Sequence, residues 1–242
     1  MPQFQIGPVS IYFEEHGRGF PLLLIAPGAM NSTVEMWAGA TINPLAVYTD
    51  DFQLIAMDQR NSGRSSGPLE VKDPWGAYAR DQFGLLDHLG IDRFHVMGSC
   101  IGGSFALKLI KEAPERVAAA VLEQPVGISD GNRPLYETMW RTWGAELVGR
   151  RPDLDPHLVE TFGAKMWADG FVVSVSEDDV QASPTPLLVL PGTDRYHPTA
   201  TGRRIAALAP RGEMFEPWND SPARVDEAVV VVHRFLEEHT PR

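Results

Sequence analysis

Short, largely apolar runs recur along the chain, separated by longer stretches of mixed polarity. Residues 20–26, 52–57, 94–97, 118–122 and 186–190 are such runs, and Pro, Gly or Asp stands at or near the end of each. Runs this short, apolar on both faces, suit central strands of a parallel sheet covered by helices. Residues 9–14 predict an additional N-terminal antiparallel strand. Between the runs, 78–89 carries Phe83, Leu86 and Leu89 at a spacing of three and predicts a helix. So do 101–112, stopped near Pro114, 199–208, stopped before Pro210, and the amphipathic 224–238. Strand–helix alternation of this kind predicts an α/β fold with an open, mostly parallel sheet.

Residues 126–183 break the alternation. They contain no buried strand run and are rich in Met139, Trp140, Trp143, Met166 and Trp167. We read this stretch as a helical cap inserted into a core formed by 1–125 and 184–242. Its aromatics either glue the cap helices together or line a site for an apolar or aromatic substrate portion. On the second reading Trp140, Trp143 and Trp167, with Met30, are the candidate substrate-binding residues.

Composition narrows the class. The chain has 242 residues, 43% hydrophobic and 22% charged, as expected of a globular protein with a sizeable core. A net charge of −11 disfavours nucleic acid or an anionic membrane as the main partner. One cysteine cannot form an internal disulfide, so a reducing, cytoplasmic setting is expected. The first residues lack the basic-then-apolar order of a signal peptide. No apolar run approaches the ~20 residues of a membrane helix. The chain carries neither a phosphate-binding glycine loop nor histidine pairs at metal-ligand spacing, so no cofactor and no metal is expected. The expected partner is a small molecule; a homodimer is left open.

The chemistry concentrates in Met97-Gly98-Ser99-Cys100-Ile101-Gly102-Gly103, which joins the 94–97 strand to the 101–112 helix. Gly98-x-Cys100-x-Gly102 has the spacing of a nucleophile elbow. Such a turn forces its central residue into a strained backbone conformation and needs small residues two before and two after it. The unpaired N–H groups of the helix N-terminus favour a thiolate and can donate to a developing oxyanion. Ser99 is out of register, flanked at those positions by Met97 and Ile101. The alternative reading is a small buried cysteine in a glycine-rich turn.

These residues resemble the α/β-hydrolase superfamily over nearly the whole chain. Asp58-Gln-Arg-Asn-Ser-Gly63-Arg-Ser65 is similar to that family's D-x-R-G-x-G-x-S loop, with Asn61 in place of a glycine. Ala26-Pro-Gly28-Ala-Met30 resembles its H-G-x oxyanion loop, with Pro27 in the histidine's place. The 98–103 segment resembles the cysteine elbow of dienelactone hydrolases, whereas the layout with a cap looks more like the esterase and C–C hydrolase branch. The resemblance implies an α/β-hydrolase fold and a nucleophile–histidine–acid triad. It places the acid at Asp194, in Pro191-Gly-Thr-Asp194. It places the histidine in 213–222, which contains none; Trp218 stands about where it is expected.

Another histidine must therefore serve. His88 and His95 lie on the helix and strand leading to the cysteine; His16 lies in a turn and His157 in the cap. His233 and His239, in or after the final helix, are expected to face solvent. His197 lies on the loop leaving the C-terminal edge of a central strand, where open α/β sheets hold their sites. We take His197 as the base, Asp194 as its acid and Glu123 as a reserve acid, because Asp194 is only three residues from His197. The N–H groups of Ile101 and Ala29, or Met30, would form the oxyanion hole. The expected activity is hydrolysis of an activated ester, lactone or thioester through a cysteine acyl-enzyme. Acyl transfer or cyclisation by the same cysteine, and a decayed site that only binds ligand, are the alternatives.

Overall fold

The computed structural model describes residues 3–129, 131–168 and 170–241. The chain opens with β1 (Gln3–Ile6), β2 (Val9–Gly17) and β3 (Phe20–Ile25). Two 3-10 turns, Ala29–Asn31 and Val34–Gly39, lead to α1 (Pro44–Val47) and β4 (Phe52–Met57). Then come α2 (Pro74–His88), β5 (Phe94–Ser99), α3 (Ile101–Glu112) and β6 (Val117–Glu123). A helical insertion of α4 (Arg133–Arg150), α5 (Pro156–Met166) and α6 (Glu177–Gln181) precedes β7 (Leu187–Leu190). The chain ends with α7 (Thr199–Leu208), β8 (Gly212–Met214) and α8 (Pro222–Glu238).

Among the described residues the eight strands form one sheet in the order β1-β2-β4-β3-β5-β6-β7-β8. β2 is antiparallel to β1 and to β4, and every later pairing is parallel. The apolar runs are central because both faces are covered: Leu22 to Ile25 and Ala119 to Leu122 have no exposed surface. One face packs Phe105, Ile101, Trp75 and the insertion aromatics; the other packs Trp37, Tyr48, Trp218, Val232 and Phe235. Each fully buried side chain of this size contributes roughly 1.5–3 kcal/mol.

Departures from the expected elements have local causes. α2 begins at Pro74 rather than Tyr78, because Asp73 accepts from the Gly76 N–H at 2.9 Å and Pro74 pre-sets the first helical residue. Ser221 and Pro222 start α8 early in the same way. The strand β2 runs on to Gly17 because its polar end still pairs with β4. Short β1, β8 and α1 had no apolar run to announce them. Within the insertion, Trp140 lies so close to Gly163 that a Cβ there would come within 2.2 Å of the indole. Trp75 Nε1 donates to Met166 O at 3.0 Å and ties α2 to α5. No helix among the described residues is long and apolar enough to cross a membrane.

Candidate active site

The elbow forms as its glycines require. Cys100 has φ 58° and ψ −116°, a conformation that costs a non-glycine residue of order 1–3 kcal/mol. A Cβ at Gly98 would come within 2.1 Å of Gly102 O, and one at Gly102 within 2.1 Å of Ile25 O. Only glycine lets α3 turn back this tightly over β5 and β3. Cys100 N–H donates to Glu123 O at 2.9 Å, pinning the bend to the end of β6. The thiol is left half-buried at the N-terminus of α3.

Opposite the elbow, Ala29 sits at φ 53° in the 3-10 turn after β3. Neither its N–H nor that of Ile101 finds a backbone partner among the described residues. Asp58, fully buried, builds the loop that supports this turn. Its Oδ1 accepts from Val34 N at 2.8 Å and its Oδ2 from the N–H and Nε of Arg64, each at 2.9 Å. Ser62 Oγ donates to Met30 O at 2.6 Å, holding the turn from below. Asn61 has φ 64°, a left-handed position that Asn tolerates nearly as well as glycine.

The loop after β7 brings Asp194 and His197 together. Asp194 Oδ1 accepts the backbone N–H of Tyr196 at 2.8 Å and of His197 at 3.0 Å. That double bond curls the chain so that Oδ2 meets His197 Nδ1 at 2.8 Å, and a separation of three residues proves sufficient. Gly192 makes room, since a Cβ there would come within 2.2 Å of His197 Cβ. His197 Nε2 is buried and makes no hydrogen bond of normal geometry among the described residues; the remaining neighbour for it is the Cys100 sulfur. Burial alone would lower the imidazole pKa. The sulfur, and then Asp194, outweigh it and push it up to about 9. Burial raises Asp194, but His197 and the two N–H donors bring it below the usual carboxylate range.

Two bracing residues escaped the sequence reading. Asn132 Nδ2 donates to Gly127 O at 2.8 Å and to Arg195 O at 3.0 Å. Tyr136, on α4, donates its hydroxyl to Tyr196 O. Burial first, and the Cys100 sulfur second, keep that phenol protonated. Both residues hold the His197 loop from the insertion, and no local motif marks such contacts.

Glu123 ends β6, in register with Ser99 on one side and Leu190 on the other. It is not the hydrogen-bond partner of His197, a place Asp194 takes. Trp218 is almost fully buried and donates Nε1 to Pro191 O at 2.7 Å, so it stiffens the strand end from which the His197 loop departs.

A cleft of about 340 Å³ opens between the turn after β3, α4 and the His197 loop. Ala29, Met30, Met139, Trp143, Glu146 and Tyr196 line it, although Cys100 and His197 do not. Trp140 and Trp167 differ from the expected lining: Trp140 packs on Gly163, and Trp167 stacks on Tyr136 with ring centroids 5.1 Å apart. The remaining histidines lie elsewhere. His95 Nε2 lies 2.9 Å from Thr240 Oγ1, and burial drives its pKa down to about 3. His88 packs beside Phe4, and His16 and His157 are exposed. His233 is half-buried rather than solvent-facing, because Asp51 lies 2.8 Å from its Nε2. His239 is likewise partly buried, with Nδ1 2.8 Å from Phe235 O.

The family model of the alpha/beta hydrolase fold matches residues 21–175. The chain is 34% identical over 134 residues to "Putative carbamate hydrolase RutD" of Azorhizobium caulinodans, a match covering 54% of this chain and 47% of that one. It is 32% identical over 127 residues to 2-hydroxymuconate semialdehyde hydrolase of Pseudomonas putida, covering 52% and 43%. The chain thus spans about half the length of these curated relatives. In solved structures it superposes on a meta-cleavage product hydrolase from Pseudomonas fluorescens with a TM-score of 0.74 at 20% identity, covering 99% of this chain and 98% of that one, a likeness of fold. With the sheet order, the elbow and the matched family model together, the chain belongs to the alpha/beta hydrolase fold family.

Proposed function

We propose that this protein hydrolyses an activated ester, lactone or thioester through an acyl-enzyme on Cys100. One observation carries the reading. The chain's single cysteine stands at a strained elbow beside an imidazole whose other nitrogen is bonded to a carboxylate. The resemblance of 98–103 to the cysteine elbow of dienelactone hydrolases supports the same role. Relatives named for hydrolysing a carbamate and a semialdehyde support a hydrolytic reaction at a carbonyl-type centre.

In this mechanism His197 Nε2 takes the Cys100 thiol proton, leaving sulfur as the nucleophile and the ring as imidazolium. Sulfur attacks the carbonyl carbon, and the carbonyl π electrons move to the oxygen, held by the Ala29 and Ile101 N–H groups. Collapse expels the leaving group, which takes the Nε2 proton of His197. Water then attacks the thioester and gives a proton to Nε2. The second collapse frees the acid and restores the thiolate. Asp194 holds Nδ1–H throughout and so fixes which nitrogen faces sulfur. Thiolate is a better leaving group than alkoxide, so reactive acyl groups suit it better than amides. The helical insertion serves as a cap, and the cleft under α4 takes an apolar acyl portion against Met30, Met139 and Trp143.

The test is turnover of a panel of aryl esters, enol lactones and thioesters by wild type and Cys100→Ala, with mass spectrometry for an acyl adduct on Cys100. Wild-type turnover with loss in the variant is expected. Full activity in Cys100→Ala would overturn the reading. Products formed with and without an added alcohol or amine separate hydrolysis from acyl transfer by the same sulfur.

A further inference from the structure

Glu123 is a buried acid without a counter-ion of its own. Its side chain has no exposed surface, and both carboxyl oxygens lack a hydrogen-bond partner among the described residues. The Ile42 N–H and the Ser99 hydroxyl lie near enough to favour the charged form, yet neither meets it in hydrogen-bond geometry. A carboxylate so placed loses most of its hydration, a cost that folding does not recover without a partner. A glutamine or an apolar residue would fill the same space at less cost.

Its position is specific. β6 lies between β5, which delivers Cys100, and β7, which delivers His197. Glu123 is the last residue of β6 and its own carbonyl accepts the Cys100 N–H. From the loop after β7, His197 is the charged neighbour that favours its ionised form. At the end of α1, Tyr48 is near enough to feel its charge; burial and then Glu123 keep that phenol protonated, and its hydroxyl donates to Val229 O at 3.1 Å. From β5 the neighbour is Ser99. α8 brings Ala228 and Val232 to this sheet face, while its His233 is engaged with Asp51. Arg224 is engaged with Glu227. No lysine or arginine is paired with Glu123 among the described residues.

We propose that Glu123 is a positioning residue for the Cys100–His197 pair: a second, buried carboxyl with no partner of its own, set between the strands that deliver the two, which supports the positive charge on His197 through space. It rests on the assignment of Cys100 and His197 as the reacting pair. Its chemistry differs from that of Asp194. Asp194 orients the ring through a direct bond, whereas Glu123 acts through space and only when ionised. Burial pushes its pKa up to about 7, which sets the range in which this happens. Below it the site carries one carboxylate, and above it two, so the imidazolium survives to higher pH than Asp194 alone would allow.

The experiment uses wild type and Glu123→Gln, each with carbon-13 in the histidine rings, and follows the His197 resonance from pH 5 to 10. We expect the His197 midpoint to fall by about one pH unit in Glu123→Gln. Alkylation of the single cysteine by iodoacetamide at pH 8 should slow by about threefold or more. A His197 midpoint unchanged between the two proteins would overturn the proposal. Should Glu123→Gln fail to fold, wild type with carbon-13 in the glutamate carboxyls gives the same decision. One glutamate titrating above pH 6 supports the proposal; all glutamates titrating below pH 5.5 overturn it. Failure of the parent reading looks different: Cys100 in wild type would alkylate no faster at pH 7 than a free thiol, while the carboxyl titration still reports on Glu123.

Discussion

The ends of β6 and β7 lie side by side, and each carries a carboxyl under opposite conditions. Asp194, after β7, is half-exposed and accepts three hydrogen bonds. Glu123, at the end of β6, is fully buried and accepts none with its side chain. Hydrogen bonds to the charged form hold Asp194 below the usual carboxylate range, while burial pushes Glu123 well above it. Residue type is therefore a poor guide to role: the surroundings of the two acids push their carboxyls in opposite directions from the same ordinary range.

The largest expected effect breaks the comparison at its centre. Cys100→Ala should lower kcat/KM by about a thousandfold or more, since on the proposed reading its sulfur is the bond-forming atom. Asp194→Asn, read by steady-state kinetics, should cost about ten- to a hundredfold, chiefly in kcat. The His197 midpoint should fall with it.

Stability against pH sharpens the contrast between the acids. Glu123 in the folded state, at about 7, lies above its ordinary value of 4.5. The folded state therefore binds more protons than the unfolded one between those values, and stability falls as pH rises through that window. Urea unfolding at pH 5 and pH 8 should show Glu123→Gln gaining about 2 kcal/mol on wild type at the higher pH and little at the lower. His197, raised from 6.5 to about 9, adds a second fall from about pH 6.5 to 9, which in Glu123→Gln should end about one pH unit earlier. Equal gains at both pH values would mean that Glu123 affects packing rather than charge.

The smallest effect separates lining from glue in the insertion. Trp143→Ala should raise KM severalfold with kcat little changed, because the indole borders the cleft. Trp140→Ala should instead lower stability by about 3 kcal/mol, as loss of a packed indole does, with KM almost unmoved.

The sheet was legible because each central strand is a largely apolar run, and such runs have few ways to be buried. The elbow was legible for a steric reason: only glycine fits at 98 and 102, so the motif must be written in the residues themselves. The histidine was partly legible. Its absence from 213–222 was plain, and the edge position of His197 made it the candidate. The sequence left Trp140 and Trp167 open between glue and lining and placed His233 in solvent, since amphipathic spacing does not say which neighbour a side chain meets. Asn132 and Tyr136 were missed because they hold the His197 loop from 60 or more residues away in sequence.

By itself, then, the sequence determined the α/β architecture, the sharp turn at Cys100 and the short list of residues able to do chemistry there, because periodicity and steric exclusion are local properties. Only the tertiary structure decided which carboxyl bonds His197, that Glu123 is buried without a partner, and that Trp218, standing where a histidine was expected, supports the end of β7. Those choices depend on solvation and on the approach of chain segments distant in sequence, and neither is encoded in any short stretch of residues.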